Sequence, residues 1–310
     1  MRKLLILSDC GVRVPHLTDE FSVIALPGDA DRQERLLHIE DAEIIIGEPA
    51  LEELSLAKKL RWLQMTWAGA DRYLKGGFLG GVTLTTASGA YGETIAEHVL
   101  AMLFALCRRL PAYSRRNDWW DLGSEKKIAG SRALIFGCGD IGTAIAKRLK
   151  ALGLETVGVC RDLKKPRPYF DVRTNLDCAE AFLEDADFII CALPHSKETE
   201  QYFDARRLSA LNEKAVFINV GRGSLVNTEA LTELLQKNKL FGAGLDVLQE
   251  EPLSKEHPLW SLPNVIITPH VAGIGFDHLP ETEEKIWDIC RENISRYLKG
   301  EALRNVVRLP

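Results

Sequence analysis

Short apolar runs alternate with helical periodicity along the first hundred residues. Helical stretches, such as those at 31–38 and 49–58, lie between several of the runs, and this alternation is typical of a parallel sheet covered by helices. The start of the chain is basic and then apolar, like a short signal peptide, but Asp9 interrupts the apolar run, which favours a first β-strand. The strands predicted in this half are 4–7, 23–26, 44–46, 60–65 and 82–86.

A long amphipathic helix is predicted at 93–116, because apolar residues recur there at spacings of three and four. A second strand–helix series follows, and a final helix is predicted at 281–298. We expect this last helix to fold back on the small first sheet. Residues 1–99 and 274–310 would then form a discontinuous substrate domain around a dinucleotide-binding domain at 100–273. The strands predicted in the second series are 133–136, 157–159, 188–192, 215–219, 241–245 and 265–268.

Composition narrows the class of protein. A chain of 310 residues with 46% hydrophobic residues is long enough for two cores. The charges are well mixed around a net charge of -5, and no basic run would hold a nucleic acid. No apolar stretch approaches the ~20 residues of a membrane span. The seven cysteines are scattered without a Cys-x-x-Cys pair, which argues against a zinc site or a disulfide framework and for the reducing cytoplasm. No metal is expected.

A glycine-rich turn, Gly137-Cys-Gly139-Asp-Ile-Gly142, follows the first strand of the second series and opens a helix. In this setting the pattern is typical of a dinucleotide-binding loop. Gly137 is expected to make the tight turn, Gly139 to let the pyrophosphate approach the backbone, and Gly142 to let the helix pack closely on the strand. The pyrophosphate would meet N–H groups at the positive end of the helix.

The choice between NAD and NADP is expected to depend on the end of the next strand. An acid there would bind the ribose 2′-hydroxyl of NAD, but eighteen residues beyond Gly142 stands Cys160. Arg161 follows, with further basic residues just after, and a guanidinium at this place suits a 2′-phosphate. NADP is therefore the favoured cofactor. Asp162 keeps NAD open, because a shift of two residues would put its carboxylate in the acid's place.

Three polar residues follow three successive strands, at the edge where open α/β sheets bind ligands. Arg222, between glycines, can fork onto a carboxylate. His270 suits proton transfer to a carbonyl oxygen near neutral pH. Glu251 is the candidate partner that fixes the tautomer of the histidine and favours its charged form. His195 also follows a strand and is expected to line the cofactor side. The other histidines that compete for the acid/base role are His16, His38, His98, His257 and His278.

These motifs resemble the D-isomer-specific 2-hydroxyacid dehydrogenase family over nearly the whole chain. The most specific stretch, 221–273, contains Gly-Arg-Gly-Ser-Leu-Val-Asn-Thr-Glu-Ala-Leu, then Gly-Ala-Gly-Leu-Asp-Val, Glu-Glu-Pro-Leu and Asn-Val-Ile-Ile-Thr-Pro-His. Leu248 departs from the usual phenylalanine and Asn227 from the usual aspartate. Cys160 replaces the acid, as in members that resemble NADP-dependent glyoxylate or hydroxypyruvate reductases.

The resemblance implies a flavodoxin-like α/β substrate domain around an inserted Rossmann domain with a doubly wound parallel sheet. Such proteins are usually homodimers paired through the cofactor domains. Arg222 is implied to bind the substrate carboxylate and carbonyl, His270 and Glu251 to be the acid/base pair, and Asp246 to contact the nicotinamide amide. The cofactor-binding residues expected besides the three glycines are Asp140, Ile141, Cys160, Arg161, Leu193, Pro194, Val220, Gly221, Asp246, Ala272 and Gly273.

The same resemblance implies that a loop at 67–71 holds the substrate carboxylate through backbone N–H groups. The substrate-binding residues expected are Ala68, Gly69 and Arg222. The pocket walls are expected around Trp67, at 88–91 and at 274–278. Tyr91 and Phe276 would make a small apolar pocket between them.

The implied reaction is hydride transfer between NAD(P)H and a small 2-keto or D-2-hydroxy acid of the glyoxylate or hydroxypyruvate type. L-specific lactate and malate dehydrogenases are disfavoured, because their phosphate loop opens the chain and this one begins at Gly137. Formate dehydrogenases of the resembled family carry glutamine beside the histidine, and Glu251 argues against them. A hydrolase such as adenosylhomocysteinase would need a much longer substrate domain. A dinucleotide-sensing, corepressor-like binding protein without turnover is the alternative.

Overall fold

The computed structural model describes residues 2–8, 14–74, 80–276 and 279–307. The chain forms two compact units. One, here called the outer unit, comprises Met1–Tyr91 and Ile274–Pro310, and the other, the inserted unit, comprises Gly92–Gly273. The chain thus leaves the outer unit once, completes a second core, and returns.

A five-stranded parallel sheet forms the core of the described part of the outer unit. Its strands are β1 (Lys3–Leu7), β2 (Ser22–Leu26), β3 (Ile44–Gly47), β4 (Trp62–Gln64) and β5 (Thr83–Thr85), and its first helices are α1 (Arg32–Ile39), α2 (Leu51–Leu54) and α3 (Asp71–Leu74). The spatial order is β2-β1-β3-β4-β5, which is the flavodoxin-like order. Strands β3 and β4 are buried at every residue, which explains their continuous apolar runs, whereas the edge strand β2 alternates.

The inserted unit contains a seven-stranded parallel sheet within its described residues. Its helices are α4 (Gly92–Cys107), α5 (Leu110–Ser114), α6 (Asp140–Ala151), α7 (Ala205–Ser209) and α8 (Thr228–Gln236), and its strands are β6 (Arg132–Phe136), β7 (Glu155–Val159), β8 (Val172–Thr174), β9 (Phe188–Cys191), β10 (Val216–Asn219), β11 (Gly242–Leu245) and β12 (Val265–Ile267). The order β12-β11-β10-β9-β6-β7-β8 is the doubly wound Rossmann arrangement extended by one strand. The order reverses between β6 and β9, and ligands of such sheets bind at the carboxyl ends of the strands around this point.

A last helix, α9 (Pro280–Lys299), completes the outer unit. Asn293 on this helix is fully buried, donates to Gln64 Oε1 on β4 at 2.8 Å, and accepts from the Arg304 backbone at 2.8 Å. The tail then forms an antiparallel bridge from Val306 to Thr85 on β5. These bonds attach the C-terminal segment to the N-terminal sheet.

Two helix predictions were wrong in extent. The single helix at 93–116 is interrupted after Cys107, because Arg109 adopts a left-handed backbone (φ 54°) and Pro111 cannot donate a hydrogen bond to the preceding turn. The helix at 49–58 ends at Leu54, and the next residues form i→i−3 bonds of the 3₁₀ type, such as Leu56 N to Glu53 O. The sequence also missed β8, a short strand of mixed polarity, and the helices α7 and α8.

In the described part of the chain, none of the helices is both long enough and apolar enough to cross a lipid bilayer.

Candidate active site

The glycine-rich turn links β6 to α6. Gly137 has φ 108°, and a Cβ there would lie 2.8 Å from the Ala192 carbonyl oxygen; at Gly142 it would lie 1.7 Å from the Gly137 carbonyl oxygen. Both positions therefore exclude side chains. A Cβ at Gly139 would meet no atom within 4 Å, so the backbone borders open space at the amino end of α6. The N–H groups of this first turn, at Asp140 and Ile141, lack acceptors within their own helix, and such a cradle fits a pyrophosphate.

Two side chains shape this cradle. Burial raises the pKa of the Cys138 thiol to about 12, so the residue between the first two glycines carries no charge that would repel an anion. The Asp140 carboxylate lies against the first turn of α4, where a Cβ on Gly92 would come within 2.6 Å of Asp140 Oδ1. The backbone of Asp140 thus opens α6 while its side chain packs on α4.

The end of β7 holds the residues expected to choose the cofactor. Cys160 donates from its backbone to Thr174 O at 2.9 Å, and its thiol faces the Asp162 carbonyl oxygen at 3.7 Å. Asp162 Oδ1 accepts from the backbone N–H groups of the next turn, Lys164 at 2.9 Å and Lys165 at 3.3 Å. Arg161 is exposed. Asp162 therefore caps its own turn, and the guanidinium beside it faces solvent.

A pocket of about 290 Å³ adjoins the glycine-rich turn. Its lining includes Gly139, Asp140, Thr143, Lys147 and Arg167. The Arg167 Nε atom is buried and has no hydrogen-bond partner among the described residues. Lys147, which sequence reasoning did not single out, lies two turns into α6, on the same helix face as Asp140. Two cations beside an open helix end could hold a phosphate-bearing ligand.

The loops after β9 and β10 meet closely. Val220 donates to Cys191 O at 3.0 Å, and a Cβ at Gly221 would lie 2.7 Å from Leu193 O, so only glycine fits there. Leu193 and Pro194 therefore border the Val220–Gly221 turn. His195 Nδ1 lies 2.9 Å from Ser224 Oγ, which ties the same two loops together and places this histidine beside the loop of Arg222.

Arg222 follows β10 on a turn that Asn219 stabilises. The buried Asn219 side chain accepts from Gly221 N at 3.1 Å and donates to Arg222 O at 3.0 Å. The half-buried Arg222 side chain donates from Nη1 to Gly221 O at 2.7 Å. At Gly223 a Cβ would lie 1.8 Å from Leu248 O, so this turn packs against the loop after β11. Asn219 was missed by sequence reasoning, although its place between a strand and a glycine was a usable signal.

His270 and Glu251 form a pair. His270 Nδ1 lies 2.9 Å from Glu251 Oε2, and Glu251 Oε1 accepts from Leu248 N at 2.9 Å. A carboxylate only accepts, so Nδ1 carries the proton and Nε2 is the ring nitrogen directed away from the pair. The side chains of His270 and Glu251 are 52% and 39% exposed, so both are accessible to a ligand. Leu248, which replaces the usual phenylalanine, contributes through its backbone.

The turn that carries His270 is built on Asp246. His270 has φ 57°, and its backbone N–H donates to Asp246 O at 2.8 Å. The Asp246 carboxylate, 3% exposed, accepts from Val271 N at 2.9 Å and from Ala272 N at 3.1 Å. Gly273, also expected at the cofactor site, ends this turn and the inserted unit. Asp246 thus organises the residues around the histidine.

In the outer unit, the loop at 67–71 is held by an acid that sequence reasoning missed. Glu48, just after β3, accepts from Thr66 N at 2.7 Å and from Trp67 N at 3.1 Å. Its place at a strand end was the available signal. The N–H groups of Ala68 and Gly69 find no acceptor among the described residues, so they can bind an external anion.

Tyr91 and Phe276, the residues expected to form an apolar pocket, each have contacts of their own. Tyr91 is buried beneath the loop, and its hydroxyl donates to Thr66 O at 2.6 Å; burial raises the pKa of this phenol, which therefore stays a neutral donor. The Phe276 ring packs on Trp287, with centroids 5.9 Å apart. Of the other expected walls, Trp67 is half-exposed, whereas residues 277 and 278 lie outside the described residues.

Comparison with known proteins identifies the family. The family model described as D-isomer specific 2-hydroxyacid dehydrogenase, NAD binding domain, matches residues 100–272. A D-isomer specific 2-hydroxyacid dehydrogenase family protein from Aeromonas salmonicida is 31% identical, and its crystal structure superposes with a TM-score of 0.86 over 100% of this chain and 99% of that chain.

Two further relatives carry a named activity. The NADPH-dependent glyoxylate/hydroxypyruvate reductase of Sinorhizobium meliloti, solved in complex with NADP and sulfate, is 25% identical with a TM-score of 0.85 over 99% of this chain and 98% of that chain. The glyoxylate reductase of Pyrococcus furiosus is 31% identical over 234 residues, which are 71% of this chain and 67% of that protein. The chain therefore belongs to the D-isomer specific 2-hydroxyacid dehydrogenase family and is an NAD(P)-dependent oxidoreductase that transfers a hydride.

Proposed function

We propose that this protein reduces a small 2-keto acid of the glyoxylate or hydroxypyruvate type to its D-2-hydroxy acid, with NADPH as the favoured reductant. The observation that carries the proposal is the hydrogen-bonded pair of His270 and Glu251, with Arg222 on the neighbouring strand end. The names of the two reductases described above support the substrate class. A dinucleotide-sensing protein without turnover is not favoured, since it would not need an acid/base pair.

Arg222, His270 and Glu251 have different roles in this reaction. Bound nicotinamide supplies the hydride for C2 of the keto acid. The Arg222 guanidinium holds the substrate carboxylate and polarises the carbonyl. Protonated His270 gives its Nε2 proton to the carbonyl oxygen, and Glu251 stabilises the imidazolium before transfer. In the reverse direction, neutral His270 takes the proton from the hydroxyl group.

An assay of purified protein with glyoxylate, hydroxypyruvate, pyruvate and a branched 2-keto acid, each with NADPH and with NADH, tests the proposal. Turnover is expected to be fastest with one of the first two substrates and NADPH. Absence of turnover with every pair, in a protein that still binds NADPH, would instead support the binding-protein alternative.

Replacing Arg222 by lysine should lower kcat/KM for glyoxylate by about 100-fold or more. Lysine keeps the charge but loses the planar fork that orients a carboxylate. Steady-state kinetics give the measurement. Arg206→Lys is the matched control, because that exposed arginine pairs with Glu180 on the surface and should retain normal kinetics. Near-normal kinetics in the Arg222 variant would remove this residue from the site.

Replacing Glu251 by glutamine should move the pH–rate profile. Loss of the negative neighbour makes the imidazolium less stable, so the acid limb of oxidation and the basic limb of reduction should both move to lower pH. Profiles of kcat/KM in both directions measure the shift. The exposed neighbour Glu250, changed to glutamine, is the control and should leave both limbs in place. If the Glu251 profile coincides with the wild-type profile, the pairing has no catalytic role.

The preference for NADPH depends on Arg161. No acid is present at Cys160 to repel a 2′-phosphate, and Asp162 already caps the next turn. A charge-assisted contact from Arg161 contributes about 1.5–3 kcal/mol, which corresponds to a tenfold to hundredfold preference. Arg161→Ala should therefore raise KM for NADPH by about that factor and leave KM for NADH unchanged. An equal loss with both cofactors, or a wild-type preference for NADH, contradicts the assignment.

The inserted unit carries exposed aromatic residues that suit a homodimer. Trp119 and Trp120 are 102% and 71% exposed, and Trp260 is 46% exposed. Exposed large aromatic side chains are common at association sites, and the resemblance implied pairing through this unit. Light scattering should give a mass of about twice the 34.6 kDa of the chain. Trp119→Ser should lower the fraction of protein that is dimeric. Leu37→Ser, at a 75% exposed residue of α1, is the control. A monomeric wild-type protein contradicts this proposal.

A cytoplasmic location also belongs to the proposal. Five cysteines of the described residues, Cys107, Cys138, Cys160, Cys178 and Cys191, are free thiols, and three of them are buried. Persistent free thiols are typical of a reducing compartment. NADPH-dependent reduction is consistent with the same location.

A further inference from the structure

A partly buried series of hydrogen bonds connects α4 to the loop after β12, which carries His270. His98 Nε2 on α4 lies 3.0 Å from Thr268 Oγ1, and Thr268 Oγ1 lies 2.6 Å from Asp246 Oδ1. Neither His98 nor Thr268 has a role in the reaction proposed above. His98, Asp246, Thr268 and His270 all belong to the inserted unit.

The chemistry of the three groups decides which one donates in each hydrogen bond. The Asp246 carboxylate only accepts, so the single hydroxyl proton of Thr268 is donated to it. The Thr268 oxygen then presents only lone pairs to His98. His98 must therefore donate, which assigns the proton to Nε2. Three groups are thus held in one order, from imidazole through hydroxyl to carboxylate.

Close packing of α4 on the sheet lets His98 reach this strand end. A Cβ on Gly244 of β11 would lie 2.8 Å from Met102 Sδ on α4. Met102 stands four residues after His98, so both lie on the same helix face. The glycine brings this face close to β11, and the histidine, one turn nearer the amino end of α4, then meets Thr268 just after β12.

The two carboxylate oxygens of Asp246 accept different numbers of hydrogen bonds. Oδ1 accepts from the Thr268 hydroxyl at 2.6 Å, from Val271 N at 2.9 Å and from Ala272 N at 3.1 Å. Among the residues that the structure describes, Oδ2 accepts only from Ala272 N, at 3.1 Å. Oδ1 is therefore saturated, while Oδ2 keeps the capacity for another donor. A primary amide, such as the carboxamide of nicotinamide, is a donor of the required kind.

We propose that Thr268, supported by His98, is a positioning residue for the cofactor. It holds the Asp246 carboxylate so that Oδ2 receives the nicotinamide carboxamide, and it steadies the turn on which His270 stands. The proposal rests on the proposed function only through the presence of a nicotinamide cofactor, and the identity of the keto acid does not enter it.

Two pairs of variants test the roles of the Thr268 hydroxyl and the His98 donor through cofactor binding. Thr268→Val removes the hydroxyl and keeps the shape, whereas Thr268→Ser keeps the hydroxyl. His98→Leu removes the donor, whereas the amide of His98→Gln can replace it. Dissociation constants are measured by fluorescence titration for NADPH and by calorimetry for 2′-phospho-ADP-ribose, which lacks only the nicotinamide.

The valine variant should bind NADPH about tenfold more weakly, with unchanged affinity for 2′-phospho-ADP-ribose, and serine should restore binding. His98→Leu should bind NADPH about threefold more weakly, and His98→Gln should restore the wild-type affinity. Thr232→Val is the control for loss of a buried hydroxyl, since among the described residues that side chain bonds only to Thr228 O, within α8. If the valine variant does not fold, the His98 pair carries the test.

Other outcomes overturn the inference. Equal weakening for both ligands would make Thr268 a general structural residue, and unchanged NADPH binding in Thr268→Val would show that the hydroxyl is not needed. Failure of the wild-type protein to reduce any keto acid would contradict the proposed function, yet the binding comparison would still decide the role of Thr268. Failure of the wild-type protein to bind either NADPH or NADH would contradict both.

Discussion

The parallel register of three neighbouring strands controls the arrangement of the candidate site. Asn219 at the end of β10 pairs with Leu245 at the end of β11, and Leu245 pairs with Ile267 at the end of β12. Because the ends of the three strands are aligned, the loops that carry Arg222, Glu251 and His270 all begin at one edge of the sheet. Loop contacts then refine the positions, since Gly223 touches the Leu248 carbonyl and Leu248 N–H binds Glu251.

A buried acid at the middle strand end determines where the histidine stands. An isolated carboxylate in the interior is unfavourable, and Asp246 is stabilised there by the Thr268 hydroxyl and the N–H groups of Val271 and Ala272. Satisfying this one carboxylate requires the chain to curl around it, which gives His270 its left-handed backbone. The exposed chemistry of the site thus depends on a network centred on a carboxylate that is only 3% exposed.

The cofactor side shows how local bonding bears on specificity. Asp162 and Arg161 are adjacent in sequence, but Asp162 Oδ1 is engaged by the N–H groups of Lys164 and Lys165, while Arg161 is exposed. The turn therefore uses the acid for its own stability and presents the cation. Arg167 and Lys147, which approach the glycine-rich turn from separate elements, add positive charge at the same place.

Much of this protein is determined by local sequence. Strand periods predict every strand of both sheets except β8, and the glycine spacing at 137–142 predicts the phosphate loop. The polar residues at strand ends predict the pair of His270 and Glu251, because a parallel sheet aligns its strand ends. The break at Arg109 and the burial of Tyr91 depended on packing. The roles of Glu48, His98 and Thr268 could be decided only by the tertiary structure, because each acts through a hydrogen bond to a residue at least eighteen positions away, and no local pattern records such a distance.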